Sequence, residues 1–546
     1  MSAASPLLRV DDLRVAYQTR RGAVRAVDGV SFEVRPGEVT ALVGESGSGK
    51  TTVAQSVIGL LAGNGRVTGG SIRLGETELT GLSDRRMRDL RGRRIGLVPQ
   101  DPGNSLNPVT TIGASVAESL RVHGWRDRAK IRARVLDLLE RVDIDEPELR
   151  ARQYPHELSG GMRQRVLIAA ALALEPELVI ADEPTSALDV TVQKRVLDLL
   201  DRLRTELGTG VLFITHDLAV ASDRSQSLVV MRGGQVQEQG RTTAVLSAPA
   251  SEYTRTLLAD APSLGRVVER MLPRQAVAGS RPLVEVAGLR QEFSRGRGLA
   301  PFVAVDDVSF TVAAGTTHAL VGESGSGKTT TGRAVAGFGR PTAGEIRVDG
   351  VDVTALRSAR EFRRTAQLVY QNPYGSLDPR QSVASIVEEP LRNFGIGDAK
   401  DRHERAAHFL ELVSLAPELG ARKPRELSGG QRQRVAIARA LILEPRLVVL
   451  DEAVSALDVT VQAQILRLLS RLQTELGLTY VFISHDLAVV RQIADTVSVL
   501  RRGEQVELGP TRRVFDEPQH DYTRRLLAAI PGAAFRGARS TEGPDR

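Results

Sequence analysis

One twelve-residue segment occurs twice in this chain, letter for letter, at 41–52 and again at 319–330. Each copy matches the pattern G-x-x-x-x-G-K-[ST] and follows a short apolar run that predicts a buried strand. Glycines let the backbone wrap around a phosphate, a lysine adds positive charge, and a threonine hydroxyl can bind Mg²⁺. A single match could be a flexible Gly-Ser loop, but two identical matches predict two phosphate-binding loops, formed by Gly44, Ser46, Gly47, Gly49, Lys50, Thr51 and Thr52, and by Gly322, Ser324, Gly325, Gly327, Lys328, Thr329 and Thr330.

The repeat extends far beyond these loops. Leu-Ser-Gly-Gly, an Asp-Glu pair, an Ala-Leu-Asp-Val-Thr-Val-Gln segment and a His-Asp-Leu-Ala segment all recur in the same order in the second half. The chain of 546 residues therefore divides into two copies of one domain, each large enough for its own core. We predict domains at 1–262 and 282–546, joined by a linker at 263–281 that lacks the shared motifs.

The composition excludes several classes of site. There is no cysteine, so disulfides and thiolate-held metals or iron–sulfur clusters are not expected. No apolar run approaches the ~20 residues that a membrane-spanning helix needs. The formal charge of +7, from 73 basic and 66 acidic residues, is too mild to indicate a nucleic-acid footprint.

Two more apolar runs in each half end in residues that carry chemistry. The run at 178–181 ends in Asp182 and Glu183, and its counterpart ends in Asp451 and Glu452. The carboxyl edge of an open α/β sheet is where ligands bind, so the aspartates suit Mg²⁺ and the glutamates suit a catalytic base that orients water. A third run in each half ends in a histidine that we predict contacts the terminal phosphate, namely His216 and His485.

The Leu-Ser-Gly-Gly elements begin apolar helices, with serine as a favourable first cap. A helix N-terminus surrounded by small residues can bind phosphate, yet each half already has its own phosphate loop. We therefore expect each element to serve the nucleotide of the other domain: Ser159, Gly160 and Gly161 the one on the second phosphate loop, and Ser428, Gly429 and Gly430 the one on the first. Two domains arranged head to tail would then enclose two ATP molecules between them.

The order of these motifs resembles the ATP-binding cassette (ABC) family over nearly the whole chain, twice. The resemblance implies an α/β fold with two P-loop nucleotide-binding domains, each with a RecA-like core, a helical subdomain and an antiparallel β subdomain. It implies catalytic roles for Lys50 and Lys328 beside the glutamates and histidines. Further residues that match the family pattern are Gln100 and Gln371, which touch Mg²⁺ or water; Asp189 and Asp458, in the loop that crosses the dimer interface; and Tyr17 and Phe293, which resemble the aromatic that stacks on adenine but could be plain strand residues.

The glutamine loops at 99–108 and 370–380 and the tails at 252–258 and 521–527 are similar to the two ATPase subunits of peptide/nickel importers, here in one chain. This resemblance implies an ATP-hydrolysing, Mg²⁺-dependent subunit that energises import of di- or oligopeptides or a related small solute. The implied partners are two integral-membrane permease subunits and an extracytoplasmic solute-binding protein. The implied location is the cytoplasmic face of the membrane, with no nucleic acid and no iron–sulfur cluster.

Two alternatives stay open from the sequence. A soluble tandem-cassette ATPase acting on ribosomes or nucleic acid is disfavoured by the short linker and the absence of cysteine, and an exporter is disfavoured by the tail motifs. The transported substrate also stays open between peptide, glutathione, nickel and oligosaccharide. One departure is notable: Ala453 and Val454 stand where the first copy has Pro184 and Thr185, which predicts slower turnover at the Glu452 site.

Overall fold

A computed structural model of the protein describes residues 5–20, 22–186, 188–262, 281–296, 298–356, 358–455 and 457–532. The chain separates into two compact units, one containing residues 5–262 and the other residues 281–530. The predicted linker at 263–281 lies outside the described residues except for its last position.

The strands of residues 5–262 form an antiparallel sheet and a mostly parallel sheet. The antiparallel sheet has the order β2-β1-β4-β5 and the other has the order β10-β9-β3-β8-β7-β6, in which β10 runs against its neighbour. The strands are β1 Leu8–Thr19, β2 Gly22–Val34, β3 Val39–Val43, β4 Gly65–Leu74, β5 Thr77–Glu78, β6 Ile95–Val98, β7 Leu178–Asp182, β8 Gly210–Thr215, β9 Ser227–Arg232 and β10 Gln235–Arg241.

The helices of this unit flank the parallel sheet and also form a helical subdomain between β6 and β7, where the fourth, fifth and seventh helices contact one another. They are α1 Lys50–Ile58, α2 Asp84–Leu90, α3 Pro102–Ser105, α4 Ile112–Val122, α5 Arg128–Arg141, α6 Pro147–Arg150, α7 Gly160–Ala171, α8 Val190–Leu207, α9 Leu218–Arg224, α10 Thr242–Ser247 and α11 Glu252–Asp260, with a 3₁₀ turn at Pro155–Glu157.

The second unit repeats this plan, with its strands linked into one sheet of order β15-β14-β11-β12-β20-β19-β13-β18-β17-β16. The antiparallel and parallel parts join at a single pair of residues, Asp306 and Glu504. The strands are β11 Val284–Phe293, β12 Phe302–Val312, β13 Thr317–Val321, β14 Ala343–Val348, β15 Val351–Asp352, β16 Ala366–Val369, β17 Leu447–Asp451, β18 Thr479–Ser484, β19 Thr496–Arg501 and β20 Glu504–Pro510.

The helices of the second unit occupy the same places as those of the first. They are α12 Lys328–Val335, α13 Phe362–Thr365, α14 Pro373–Ser376, α15 Val383–Phe394, α16 Ala399–Leu412, α17 Gly429–Leu441, α18 Val459–Leu476, α19 Leu487–Ile493, α20 Thr511–Asp516 and α21 Asp521–Ala528, with 3₁₀ turns at Pro417–Ala421 and Pro424–Glu426.

The burial of the strands follows their hydrophobic pattern. Every residue of β3 and β13 is buried, as expected for apolar runs covered on both faces of a parallel sheet. In β1, by contrast, Leu8, Val10, Leu13 and Val15 are buried while residues between them are exposed, so this sheet has one face towards the core. The predicted α/β class, with an antiparallel sheet, a parallel core and a helical subdomain in each unit, is confirmed.

The strand order determines where the predicted site residues meet. In the first unit β3, β8, β7 and β6 lie side by side and run parallel, so the loops that follow them leave the same edge of the sheet. Those loops carry the phosphate loop after β3, His216 after β8, Glu183 after β7 and Gln100 after β6. Parallel pairing thus brings together residues that are far apart in the sequence.

Candidate nucleotide-binding and catalytic site

The phosphate loop between β3 and α1 has two positions where only glycine fits. Gly44 has a φ of 151°, and a Cβ there would lie 2.1 Å from the carbonyl oxygen of Met231. Gly49, which precedes α1, has a φ of 100°, and its Cβ would lie 2.7 Å from the carbonyl oxygen of Ala26. The loop is therefore pressed against neighbouring backbone, and side chains at these positions would force it open.

The lysine of this loop is buried, with only 5% of its surface exposed. Its Nζ donates hydrogen bonds to the carbonyl oxygens of Gly44, at 2.7 Å, and Glu45, at 2.8 Å. An ammonium group held inside a turn of backbone in this way places a fixed positive charge at the helix N-terminus, where anions bind. That Lys50 binds nucleotide phosphates remains a prediction.

The residue after the lysine links the phosphate loop to the acidic end of β7. Thr51 Oγ1 donates to Asp182 Oδ1 at 3.3 Å. Burial, and then the neighbouring charge of Glu183, raises the pKa of Asp182 to about 6. The exposed hydroxyl of Thr51 and the buried carboxylate of Asp182 form a donor set that fits Mg²⁺, which takes few protein oxygens and its remaining ligands from water and phosphate.

Glu183 receives two polar contacts on one carboxylate oxygen. Gln100 Nε2 donates to its Oε2 at 2.8 Å, and His216 Nδ1 lies 3.1 Å from the same atom. Its backbone φ of 45° is in the left-handed region, which a non-glycine residue adopts at a cost of roughly 1–3 kcal/mol. Glu452 adopts the same conformation in the second unit, with a φ of 47°.

Electrostatics keep the Glu183 carboxyl ionised. Burial pushes its pKa up, but the hydrogen bond and charge of His216, with Lys50 and Gln100, outweigh burial and hold the pKa below its ordinary value. Burial in turn lowers the pKa of His216, and the bond to Glu183 reverses this, so the net pKa of the imidazole is raised. Each partner favours the charged form of the other.

The second unit contains the same set of contacts. Lys328 Nζ donates to the carbonyl oxygens of Gly322 and Glu323, both at 2.8 Å. Thr329 Oγ1 donates to Asp451 Oδ1 at 2.8 Å, Gln371 Nε2 donates to Glu452 Oε2 at 2.8 Å, and His485 Nδ1 lies 3.3 Å from that same oxygen. The pKa shifts repeat as well: burial raises the pKa of Asp451, the pKa of Glu452 is held low against burial by His485, and the pKa of His485 is raised by Glu452.

Comparison with known proteins places this geometry in a family. The model of the ABC transporter family matches residues 27–186 and 305–455, which together make up more than half of the chain. The chain belongs to the ABC transporter family. It binds and hydrolyses ATP, as proteins of this family do, and it carries the ABC cassette twice.

Individual ABC relatives cover almost all of the chain. The glutathione import ATP-binding protein GsiA of Salmonella typhimurium is 43% identical over 563 residues, covering 96% of this chain and 90% of that protein. The protein of the same name in Escherichia coli K12 is 42% identical over 566 residues. The C-terminal region of oligopeptide/dipeptide transporters matches 506–543. Among solved structures, a dimeric ATP-binding cassette bound to ADP and Pi is 30% identical, covers 42% of this chain and has a TM-score of 0.39.

The two Leu-Ser-Gly-Gly elements, called the signature elements from here on, begin the helices that the sequence predicted. Ser159 Oγ accepts a hydrogen bond from the N–H of Met162 at 3.3 Å and caps α7, and Ser428 Oγ accepts from Gln431 at the same distance and caps α17. Asp189 and Asp458 cap α8 and α18 by accepting from Val192 and Val461. A Cβ on Gly161 would lie 2.5 Å from Val192, and one on Gly430 2.4 Å from Val461, so in each unit the signature packs directly on the aspartate-capped helix.

The two candidate adenine-stacking aromatics differ in their surroundings. Tyr17 is partly buried, and its hydroxyl lies 3.5 Å from Thr52 Oγ1, beside the phosphate loop. Phe293 is 49% exposed and pairs in register with Phe302, which is also exposed. Both lie on the matched strands β1 and β11, and their contact with adenine remains a prediction.

The sequence departure after Glu452 removes a hydrogen bond. In the first unit Gln193 Nε2 donates to Thr185 Oγ1 at 3.2 Å, which connects the turn after Glu183 to α8. Val454 has no hydroxyl to replace this contact, and it is buried with 2% of its surface exposed. The turn after Glu452 instead has Ser455 Oγ donating to the Glu452 carbonyl oxygen at 3.0 Å.

The sequence analysis missed one contact to each phosphate loop. The hydroxyls of Tyr253 and Tyr522, in the tail helices α11 and α21, accept hydrogen bonds from the backbone N–H groups of Glu45 and Glu323. Both tails share a Tyr-Thr-Arg segment, which is the sequence signal that could have indicated this contact.

Across the described residues, no helix combines the length and the apolar character that a membrane span requires. The same residues contain no group of three or more histidine, cysteine, aspartate and glutamate side chains suited to hold a metal ion by themselves.

Proposed function

We propose that this protein is the ATP-hydrolysing, energy-coupling subunit of an ABC importer for di- or oligopeptides or a related small solute such as glutathione. It would act at the cytoplasmic face of the membrane with two integral-membrane permease subunits and an extracytoplasmic solute-binding protein. The observation that carries the proposal is that both units hold the same complete set of contacts around lysine, threonine–aspartate and glutamine–glutamate–histidine. The GsiA relatives and the C-terminal match support the choice of substrate class.

Within one site, each residue has a separate task. Lys50 and the N–H groups at the start of α1 bind the β- and γ-phosphates of ATP, and Thr51, Asp182 and Gln100 would hold Mg²⁺. When bound, Mg²⁺ neutralises charge on the phosphate oxygens. Phosphoryl transfer requires mainly this positioning and charge stabilisation.

Glu183 orients the attacking water and accepts its proton. The water oxygen forms a bond to the γ-phosphorus while the bond to the bridging oxygen of ADP breaks, and the water proton passes to the carboxylate. The low pKa of Glu183 keeps the carboxylate ready to accept hydrogen bonds from water at neutral pH. His216 holds Oε2 and contacts the γ-phosphate, so one face of the carboxylate stays directed towards the water.

The signature elements suggest that each site is completed by the other unit. The helices α7 and α17 have N-termini capped by serine and followed by two glycines, so they present N–H groups and a partial positive charge. In this proposal Ser428 completes the nucleotide site of Lys50, and Ser159 completes that of Lys328. ATP then favours the closed arrangement because only that arrangement contacts it from both sides, and closure drives transport.

The first test concerns hydrolysis. Replacing Glu183 and Glu452 together by Gln should leave MgATP binding intact and reduce turnover by about 10²–10⁴-fold, which is the range for removing a general base. A matched control is Glu175→Gln with Glu444→Gln, since these glutamates also have positive φ, of 54° each, but pair with Arg134 and Arg405 away from the phosphate loops. Near-normal hydrolysis in the Glu183/Glu452 variant would refute the assignment of the base.

The second test concerns import. The chain should co-purify with permease subunits from detergent extracts, and in reconstituted vesicles its ATPase should be stimulated by a loaded solute-binding protein. A panel of dipeptides, longer peptides, glutathione and nickel complexes would identify the substrate class. Co-purification with ribosomes or nucleic acid, or substrate moving outward in the same vesicles, would contradict the proposal.

A further inference from the structure

The tail helix of each unit places a tyrosine hydroxyl on the phosphate loop. The N–H of Glu45 donates to Tyr253 Oη at 3.3 Å, and the N–H of Glu323 donates to Tyr522 Oη at 3.1 Å. Both tyrosines are buried, with 8% and 3% of their surface exposed. The same contact therefore forms twice, between segments separated by about two hundred residues of sequence.

Several contacts hold each tyrosine in place. The carboxylate of Glu238 accepts hydrogen bonds from the N–H groups of Ala250, at 2.8 Å, and Ser251, at 3.1 Å, just before α11. The guanidinium of Arg232 lies 4.9 Å from the centre of the Tyr253 ring, within the range of a cation–π contact.

The second unit uses matching residues. Glu507 accepts from the N–H groups of Gln519 and His520 at 2.8 and 3.1 Å, and Arg501 lies 5.2 Å from the centre of the Tyr522 ring. Each tail helix is thus tied to the hairpin β9–β10 or β19–β20 before it reaches the phosphate loop. The tyrosine hydroxyl therefore lies on a helix that is itself fixed to the hairpin.

The tyrosine acts on the same peptide group that holds the catalytic lysine. The peptide between Gly44 and Glu45 offers its carbonyl oxygen to Lys50 Nζ at 2.7 Å and its N–H to Tyr253 Oη. Since a peptide group is planar, fixing its N–H also fixes the direction of its carbonyl oxygen. The tyrosine therefore sets the orientation of an acceptor that positions the Lys50 ammonium.

Gly44 makes this restraint necessary. It has no Cβ to restrict rotation about its backbone bonds, and its φ of 151° is one that residues with side chains rarely adopt, so the peptide that follows it turns more easily than it would after another residue. The paired contacts on the two ends of the peptide, one from the lysine and one from the tail, replace the missing steric restraint. The second unit has the same arrangement, because Lys328 Nζ binds the carbonyl oxygen of Gly322.

We propose that Tyr253 and Tyr522 are positioning residues for the two phosphate loops, which makes the tail of each cassette a part of its nucleotide site. Without the hydroxyl, the peptide that follows Gly44 or Gly322 turns more freely, and the phosphate loop binds nucleotide phosphates less tightly. The inference rests on the proposed nucleotide site and extends it to a segment that no catalytic motif includes. Movement of the tail would change the affinity for ATP.

The test uses Tyr253→Phe and Tyr522→Phe, singly and together, in the full chain that also carries Glu183→Gln and Glu452→Gln to block hydrolysis. The probe is a fluorescent N-methylanthraniloyl-ATP with Mg²⁺, displaced by unlabelled ATP. A lost neutral hydrogen bond predicts an affinity about two- to tenfold lower at the altered site. In the hydrolysing chain the same changes should raise KM for ATP while kcat stays nearly constant.

Tyr480→Phe is the matched control. Tyr480 is 1% exposed and its hydroxyl donates to the carbonyl oxygen of Leu469 at 3.0 Å, in the core of the second unit. Its loss should lower thermal stability without changing nucleotide affinity. A second pair, Glu238→Gln and Glu507→Gln, loosens the tails without removing the tyrosines, and it should lower affinity in the same direction.

The outcomes separate the two claims. Unchanged affinity in both tyrosine variants, or an equal loss in Tyr480→Phe, would overturn the positioning role while leaving the nucleotide site in place. Failure of the parent chain to bind MgATP at all would overturn the proposed function itself, and with it this inference.

Discussion

A buried histidine in the second unit should make that unit sensitive to acid. His318 lies in β13, the strand that leads into the second phosphate loop, and none of its surface is exposed. Its Nδ1 and Nε2 lie 2.8 and 2.9 Å from the hydroxyl oxygens of Thr496 and Ser498, and its ring stacks on Phe310 with centroids 4.4 Å apart. No carboxylate is among these partners, so burial alone lowers the pKa of His318 to about 3.

The magnitude follows from the difference between folded and unfolded chains. In the unfolded chain this histidine has its ordinary pKa of 6.5. Below that pH the unfolded state therefore binds a proton that the folded state does not bind. Stability is therefore complete above pH 6.5 and falls as the pH drops, by about 1.4 kcal/mol per pH unit well below 6.5. At pH 5 the loss from this one residue is about 2 kcal/mol.

The first unit provides the substitution. Thr40 occupies the matching position in β3, where its hydroxyl donates to the Glu33 carbonyl oxygen at 2.9 Å. His318→Thr should reduce stability at pH 8 through lost packing, yet remove the acid-dependent loss. Urea unfolding of the full chain between pH 8 and 5, followed by pulse proteolysis and mass spectrometry of peptides from 281–532, measures the second unit separately. A stability difference between the two proteins that stays constant over this pH range would refute the reasoning.

The remaining predictions concern the nucleotide sites. Ala453→Pro with Val454→Thr should restore the turn of the first copy and raise turnover at the second site about two- to tenfold, as one hydrogen bond allows; equal ATPase losses in the single glutamate-to-glutamine variants would dismiss the asymmetry. Gly44→Ala should abolish nucleotide binding at the first site, because the added Cβ would lie 2.1 Å from a carbonyl oxygen, whereas Gly208→Ala, with positive φ but no atom within 4 Å, should bind normally by fluorescence titration. Thr329→Val should raise the Mg²⁺ concentration for half-maximal ATPase several-fold, because it removes a hydroxyl 2.8 Å from Asp451; an unchanged Mg²⁺ titration would count against the metal site.

The parts of the site that the sequence predicted are those that follow buried parallel strands. Asp182 and His216 come directly after apolar runs, and Lys50 lies at the end of the loop that follows another. Parallel strands bring such ends to one edge, so the proximity of these residues could be expected without coordinates. The duplication helped further, because every motif could be compared with a second copy in the same order.

Other features depend on packing between distant segments, which the sequence alone does not define. Tyr253 reaches Glu45 only because the tail folds back across β9 and β10. Hydrophobic periodicity predicts helices and strands, but it does not predict which distant segments come into contact. Matched positions can also differ in environment: Tyr17 lies against Thr52, while Phe293 is half exposed at the equivalent end of β11. The contact of Gln100 with Glu183 likewise required the order β8-β7-β6, which a sequence pattern does not give.

The central claim is that each cassette completes the nucleotide site of its twin. The most direct measurement is a cryo-EM structure of the full chain with Glu183→Gln and Glu452→Gln, trapped with MgATP. The account predicts Ser428 Oγ within hydrogen-bonding distance of the γ-phosphate held by Lys50, and Ser159 Oγ equally close to the nucleotide on Lys328. Two bound ATP molecules with both signature serines far from the opposite γ-phosphates would contradict it.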